Sequence, residues 1–502
     1  MQSLHFRLHD RMRVSFARRA ALSSAQSPSP LARCNFICCP SLILETHPVR
    51  KWGECAYDSN GTMTRAWRCL NTIKPTVAPA RCFHNSARRL EIRHLAELPQ
   101  RLHPQFKETS TDDLLALRWP SPPRNILLVR KDNDAEARDA LTEFAHHIHS
   151  TYPDVSIVLE PDVAREFHSD FSFPVYAPDG TKDQHNLYQE KVDLTSTLGG
   201  DGTVLHAASL FATAPSVPPI LSFSMGTLGF LGEWKFHEYK RAFRQVYVSG
   251  APSPLAENTN DSNNTTTPDS SQAWSNIKGK SLGQTRCSRI LMRNRLRIGI
   301  FDSNGQRLPH EAPFAHSADQ CEDIFALNEV LLHRGANPHL ANITILIGAP
   351  PHQRTLTTAI ADGFLVSTPT GSTAYSLSSG GSIVHPLVSS LLLTPICPRS
   401  LSFRPLVLPA NTPVTLRIEA DNRGKEIEVS VDGVRRQQGL GAGMEVRVVG
   451  EEVTTGESGK RQWTGGVPSI VRSGVGGGDG EDHWVGGLNS LLKFNYPFGD
   501  RG

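Results

Sequence analysis

Leu198-Gly199-Gly200-Asp201-Gly202-Thr203-Val204-Leu205-His206 decides the fold. It follows Val192-Asp193-Leu194-Thr195-Ser196-Thr197, which reads as a buried strand, and it leads into a helix expected from about Thr203 to Phe211. A strand that runs into glycines and then a helix start presents backbone N–H groups to an anion. Only glycine lets the main chain come so close to phosphate, and the helix N-terminus is electropositive. The aspartate among these donors repels a bound phosphate unless it serves as a base or meets a bridging Mg²⁺, so it favours phosphoryl transfer over simple phosphate binding. The alternative is that Asp201 caps the helix. The same four letters recur at 477–480 without a preceding strand or a following helix, and read as loop. Residues 439–443 alternate glycines without dinucleotide-fingerprint spacing and read as a turn.

Upstream of the turn, Asn125–Arg130 reads as a buried strand. A helical stretch follows at 135–149, with Ala137, Leu141, Phe144, Ala145 and Ile148 on one face, and then a strand at 155–159. Strands alternating with helices predict an α/β, Rossmann-like layer of parallel strands. Downstream, 249–283 is dense in Asn, Ser, Thr, Pro and Asp and cannot bury enough surface to offset its ordering entropy, so a disordered insertion is expected. The pattern then becomes β. Apolar residues alternate with arginines over 289–301, Asp302-Ser303-Asn304-Gly305 is a hairpin turn, and strands are expected at 343–347, 363–367, 414–418, 427–431 and 444–449. The expected organisation is a transit peptide over 1–90, an α/β domain over 91–248, an insertion over 249–284, and a β-rich nucleotide-binding domain, a β-sandwich, over 285–450. A flexible loop over 451–482 and a C-terminal segment over 483–502, with Trp484, Leu488, Leu491, Leu492 and Phe494, returning to the α/β domain, complete it.

The 502 residues are 20% charged and 38% hydrophobic, enough for two or three domains, and carry no near-continuous apolar run of bilayer length, which excludes a membrane-embedded protein. A net charge of +3 is too small to argue for a nucleic-acid partner. Six of the nine cysteines lie in the first 82 residues, and Cys287, Cys321 and Cys397 lack metal-ligand or redox-pair spacing, so neither a disulfide scaffold nor a structural zinc site is expected. The first 90 residues are rich in arginine and poor in acids, the composition of a transit peptide. Arg81-Cys82-Phe83-His84-Asn85-Ser86 resembles a two-step presequence cleavage site, with a mature start near Glu91 and delivery to the mitochondrial matrix. The alternative is a disordered basic tail on a cytosolic protein.

Two further motifs carry chemistry. Asn328-Glu329 sets an amide beside a carboxylate at a strand-like position, where the pair could clamp ribose hydroxyls and an adenine edge. The stretch from Asp362 through Thr368-Pro369-Thr370-Gly371-Ser372-Thr373-Ala374-Tyr375-Ser376-Leu377-Ser378-Ser379-Gly380-Gly381 offers small hydroxyl residues, glycines and one aromatic. This is a poor recipe for a core but suits a loop that packs on a nucleotide; the alternative is an ordinary Ser/Thr-rich turn.

Taken in order, Gly199 to Thr203, Met225-Gly226-Thr227-Leu228-Gly229-Phe230-Leu231, Asn328-Glu329, 368–381 and Thr394-Pro395-Ile396-Cys397-Pro398-Arg399-Ser400-Leu401-Ser402-Phe403-Arg404-Pro405 resemble the NAD kinase family, most of all its fungal mitochondrial NADH kinase branch. The resemblance spans about 123–235 and 285–440, with a weaker echo over 484–499. It implies the two-domain NAD kinase-like fold and ATP-dependent phosphorylation of the adenosine 2′-hydroxyl of NADH or NAD⁺. Asp201 would accept the proton, Gly199, Gly200 and Gly202 would leave room for phosphates, and Thr203 would belong to the same substrate-binding set. His206 would touch the dinucleotide, its alternative being a helix-surface residue. Asn328, Glu329 and Asp362 would bind the nucleoside, and Thr373, Ala374, Tyr375, Ser376 and Ser378 would contact adenine and ribose. Magnesium would arrive with ATP and no resident metal is expected. The expected partners are NAD(H), ATP and further copies of the chain, as a dimer or tetramer. Two competing readings stay open: a lipid or sugar kinase with the same glycine turn, and a catalytically silent dinucleotide-binding protein.

Overall fold

The computed structural model describes residues 91–109, 113–180, 184–226, 229–251, 287–309, 323–455, 463–472, 484 and 488. The expected transit peptide lies outside the described residues. So does the expected insertion apart from 249–251, where Ser249 is buried and its hydroxyl accepts from Ser288 N at 2.8 Å.

Asn125–Arg130 is apolar on both faces because both are covered, as parallel strands between helices require. Side chains alternate across a strand. Ile126 and Leu128 therefore enter one core with Leu141, Phe144, Ala145 and Ile148 of the helix Ala135–Thr151, while Leu127 and Val129 enter another with Val204, Ala207 and Ala208 of the helix Asp201–Ser209. Asp134 starts the first helix by accepting from Glu136 N and Ala137 N. The strands lie in the order Ile92–His94, Val175–Ala177, Ser156–Leu159, Asn125–Arg130, Leu194–Leu198, Ile220–Ser224 and Val467–Val471, all parallel, then Arg289–Arg293, Leu115–Arg118 and Gln105–Glu108, antiparallel. From Asn125–Arg130 the chain steps to Ser156–Leu159 on one side and later returns to Leu194–Leu198 on the other. This reversal opens a crevice beyond the carboxyl ends of the two inner strands, the place where open α/β sheets bind ligands.

The second layer is a sandwich of two six-stranded antiparallel sheets. One runs Ile324–Ala326, Leu296–Phe301, Glu445–Gly450, Val414–Ile418, Ala341–Ile347, Arg354–Ala361; the other runs Leu406–Pro409, Ser390–Ile396, Gly363–Ser367, Glu329–His333, Glu428–Val431, Val434–Arg435. Ile298, Ile343, Ile345 and Leu416 from the first meet Val330, Leu332, Phe364 and Leu393 from the second in one core.

The structure corrects two expectations. The run 289–301 is two strands in two different sheets, and Arg295 between them is buried at the junction. It pairs with Glu451 (Nη2–Oε1 2.6 Å) and donates to Phe211 O at 3.2 Å and Ala214 O at 2.9 Å. The region 451–482, expected as a flexible loop, holds the buried strand Val467–Val471 at the heart of the first sheet, which its Gly-rich surroundings and internal Pro468 disguise. Of the C-terminal segment, Trp484 and Leu488 are the described residues, and the Trp484 ring meets His385 of the β domain edge-on at 4.7 Å. Among the described residues no helix is long and apolar enough to cross a membrane.

Candidate active site

The helix after the glycine turn begins at Asp201, two residues before its expected start, with Gly200 at the N-cap and no side-chain capping bond. Asp201 is therefore free of the capping role, and its carboxylate turns to the neighbouring segment. Oδ2 accepts from Phe230 N at 2.9 Å and Oδ1 from Leu231 N at 3.0 Å. A Cβ on Gly229 would stand 2.5 Å from Asp201 Cγ, so only glycine admits this approach. A carboxylate has about four acceptor positions, and two remain for a ligand.

Behind the same segment lies Arg293, a residue that sequence reasoning missed. Its guanidinium is buried and donates from Nη2 to Phe230 O and Glu233 Oε1, both at 3.3 Å, and from Nε to Ser469 Oγ at 3.1 Å. Burial lowers its pKa, while the charges of Glu233 and then Asp201 hold it up. An arginine in an alternating strand was the available signal, but its hydrogen-bond partners come from two distant segments, 230–233 and 469.

Beyond the glycine turn opens a cleft of about 710 Å³ bordered by Lys131, Asp132, Gly200, Gly202, Thr203 and His206. Nothing lies within 4 Å of where a Cβ would stand on Gly200 or Gly202, so the main chain there is open to a polyphosphate. Lys131, just past the strand Asn125–Arg130, pairs with Asp134 at 2.8 Å. His206 also borders the cleft, half-exposed, with Nε2 2.8 Å from Glu160 Oε1; that bond raises its pKa against the opposing effect of burial.

Asn328 and Glu329 sit at the entry to the strand Glu329–His333 and are buried. Asn328 Oδ1 and Glu329 Oε2 have no hydrogen-bond partner among the described residues. Burial, then the charge of Asp432, pushes the Glu329 carboxyl up to about 8. The segment 368–381 folds over this pair. Thr368 N donates to Asn328 O at 2.8 Å and Thr368 Oγ1 to Leu327 O at 2.6 Å. Phe325 N donates to Ala212 O at 2.7 Å, and Leu327 packs with Val204 and Phe211, which ties this region to the helix carrying Asp201.

The five residues expected on adenine and ribose divide. Tyr375 and Ser378 are exposed, Thr373 and Ala374 half-buried. Ser376 is fully buried with its hydroxyl 2.9 Å from Thr394 Oγ1, so its side chain holds the loop instead of facing a nucleotide. Asp362 is not brought together with Asn328-Glu329. Gly363 pairs with His333 and Ser367 with Glu329, which leaves Asp362 at the opposite end of the strand, roughly 17 Å away at about 3.4 Å per residue. There it pairs with Arg334 Nε at 2.6 Å. No group of three or more His, Cys, Asp or Glu suited to a metal ion occurs among the described residues.

A crevice at the sheet reversal, a carboxylate at the helix start and unpartnered polar groups on an adjoining β-sandwich define a two-domain nucleotide-dependent phosphotransferase architecture. The family model of the ATP-NAD kinase N-terminal domain matches residues 126–250 and that of the ATP-NAD kinase C-terminal domain residues 327–451. The chain is 37% identical to the mitochondrial NADH kinase of Saccharomyces cerevisiae over 357 residues, 69% of this chain and 72% of that protein. It is 36% identical to the mitochondrial NADH kinase of Schizosaccharomyces pombe over 430 residues, 84% and 89% of the two chains. The crystal structure of yeast NADH kinase complexed with NADH superposes with a TM-score of 0.63 at 32% identity, covering 82% of this chain and 98% of that one. The chain belongs to the NAD kinase family.

Proposed function

We propose that the protein transfers the γ-phosphoryl group of MgATP to the adenosine 2′-hydroxyl of NADH and NAD⁺, giving NADPH and NADP⁺. The observation that carries this reading is the Asp201 carboxylate, fixed by two backbone amides at the helix start beside an open glycine turn. The 2′-oxygen attacks phosphorus, the bond to the β,γ-bridging oxygen breaks with departure of ADP, and the hydroxyl proton passes to Asp201. Chemistry of this kind is mostly positioning and charge stabilisation. Gly200, Gly202 and Thr203 seat phosphates, Lys131 offsets their charge, and magnesium enters as part of the ATP substrate. Asn328 and Glu329 hold the adenosine, Tyr375 and Ser378 flank it, and Ser376 keeps their loop in place. Both named relatives are mitochondrial NADH kinases. Together with the arginine-rich, acid-poor first 90 residues, this supports import to the matrix and use of NADH.

The purified protein, given ATP with Mg²⁺ and either NAD⁺ or NADH, tests the reading by chromatography of NADP⁺ and NADPH. Product from NADH well above that from NAD⁺ supports the reductive assignment, and comparable yields define a general NAD kinase. No product from folded protein favours a lipid or sugar kinase or a silent binder.

Lys131→Ala should raise KM for ATP roughly tenfold and leave KM for the dinucleotide nearly unchanged, because a charge-assisted contact to phosphate is lost. Steady-state kinetics with each substrate varied in turn reads this, and an unchanged KM for ATP removes Lys131 from the phosphate seat. The β-sandwich also exposes Leu387, Val388, Leu401 and Val407. This supports assembly as a dimer or tetramer through that domain, which light scattering on the purified chain measures.

A further inference from the structure

Asp432 lies in neither the glycine turn nor the nucleoside-binding motif, yet it is built into the latter. It occupies the first turn position of the hairpin joining Glu428–Val431 to Val434–Arg435, with φ +47° and Gly433 at φ +81°. An Asp-Gly pair suits a two-residue hairpin turn, whose central residues both need positive φ. That local role explains the residue type but not where the carboxylate goes. Oδ2 accepts from Leu327 N at 2.7 Å, and Oδ1 accepts from Asn328 N at 2.7 Å and Glu329 N at 3.1 Å, while Asp432 N donates to Glu329 O at 3.0 Å. Three consecutive backbone amides converge on one side chain from more than a hundred residues away. The segment they fix carries the two buried side-chain oxygens, Asn328 Oδ1 and Glu329 Oε2, that have no partner among the described residues.

We infer that Asp432 is a positioning residue for dinucleotide binding: its carboxylate pins the backbone of 327–329 so that Asn328 and Glu329 present their free oxygens to the nucleoside, with Glu329 as a hydrogen-bond donor. This rests on the function proposed above and adds to it the state of the binding group. A buried carboxyl packed beside a second carboxylate favours its neutral form, and a neutral acid can donate where an ionised one only accepts. The charge that acts on Glu329 is that of Asp432, and Asp432 in turn feels Arg295. Burial pushes Asp432 up to about 6, opposed by the three amides and by Arg295, so near neutrality Asp432 is ionised and Glu329, at about 8, is protonated. Dinucleotide binding should therefore weaken as pH rises through about 8.

The test is calorimetric titration of NADH into the full-length protein, without ATP, from pH 6.5 to 9. Wild type should show Kd rising across the alkaline half of the range. Asp432→Asn keeps the size and the turn preference but presents an amino group to one of the three donors. It should weaken NADH binding about tenfold or more at pH 7 and bring the alkaline rise to lower pH, because the like charge that helped keep Glu329 neutral is gone. Glu329→Gln fixes that group in a neutral form, so its Kd should no longer climb between pH 7 and 9, whatever its absolute value. A wild-type Kd flat over the range overturns the inference, as does an Asp432→Asn protein that binds like wild type, or one weakened equally at every pH with no movement of the rise. If Asp432→Asn fails to fold by circular dichroism, the comparison of wild type with Glu329→Gln decides: a rise that persists in the glutamine variant overturns the inference, and its disappearance supports it. A folded wild type that binds no NADH at any pH fails the proposed function itself, a different result from any of these.

Discussion

Asp201→Asn is expected to lower kcat by roughly 10²- to 10⁴-fold, the usual worth of a general base, while calorimetry finds NADH bound within about threefold of wild type. That loss is about 3 to 5 kcal/mol of barrier. The separation of turnover from binding follows from the geometry. Asp201 starts its helix, and its oxygens accept from Phe230 N and Leu231 N, whereas the nucleoside contacts assigned to Asn328 and Glu329 lie on the other domain. An asparagine accepts one of the two amides and turns an NH₂ group toward the other, so a modest fall in Tm accompanies the loss of the base. Arg293 limits that fall by holding Phe230 from its carbonyl side. Single-turnover kinetics with saturating NADH and ATP isolates the chemical step. An Asp201→Asn enzyme with unimpaired turnover removes Asp201 from proton transfer. Loss of NADH binding in step with kcat would instead assign it to shaping 229–231.

What could be read in the chain and what could not divide along sequence distance. The strand, glycine turn and helix around Asp201 were legible because their signals lie within twenty residues and each favours the same local conformation. The helix start moved by two residues because Gly200 supplies the cap with its backbone, leaving the Asp201 side chain to find Phe230 and Leu231. Arg293 could not be placed, since Ser469 reaches it from 176 residues away and Glu233 from 60. Nor could Val467–Val471, whose proline and glycine-rich flanks argue locally against a central strand while tertiary pairing overrides them. Asp362 shows the converse hazard. It heads the most informative motif in the sequence, yet the five-residue strand Gly363–Ser367 carries the chain to the far edge before the loop begins. Closeness in the motif is therefore not closeness to Asn328-Glu329 within one chain.

Gly371→Ala should lower kcat/KM for NADH by roughly 10²-fold, a cost typical of an ångström's misplacement at a site, with Tm falling by only a few degrees. The backbone conformation of Gly371 is open to any residue, so space alone is at issue. A Cβ there would meet the carbonyl oxygen of Asn328 and stand 2.7 Å from its carbonyl carbon, where about 3.5 Å is needed. Both obstructing atoms are main chain and cannot rotate away. Asn328 cannot retreat, because Asp432 holds its amide and those of Leu327 and Glu329, so the 368–381 segment must lift by most of an ångström. The bonds from Thr368 N to Asn328 O and from Thr368 Oγ1 to Leu327 O lengthen with it, and Tyr375 and Ser378 move off the proposed nucleoside seat. Overpacking of this kind costs about 1–3 kcal/mol, well within what a two-domain chain of this size tolerates. The damage should therefore appear as a raised KM for NADH in a folded protein, with KM for ATP nearly unchanged because the glycine turn lies on the other domain. A Gly371→Ala enzyme with wild-type KM for NADH would show that the loop does not have to lie against Asn328 to bind the dinucleotide. Equal losses toward both substrates would mean that the disturbance had spread through Leu327 into the helix that carries Asp201.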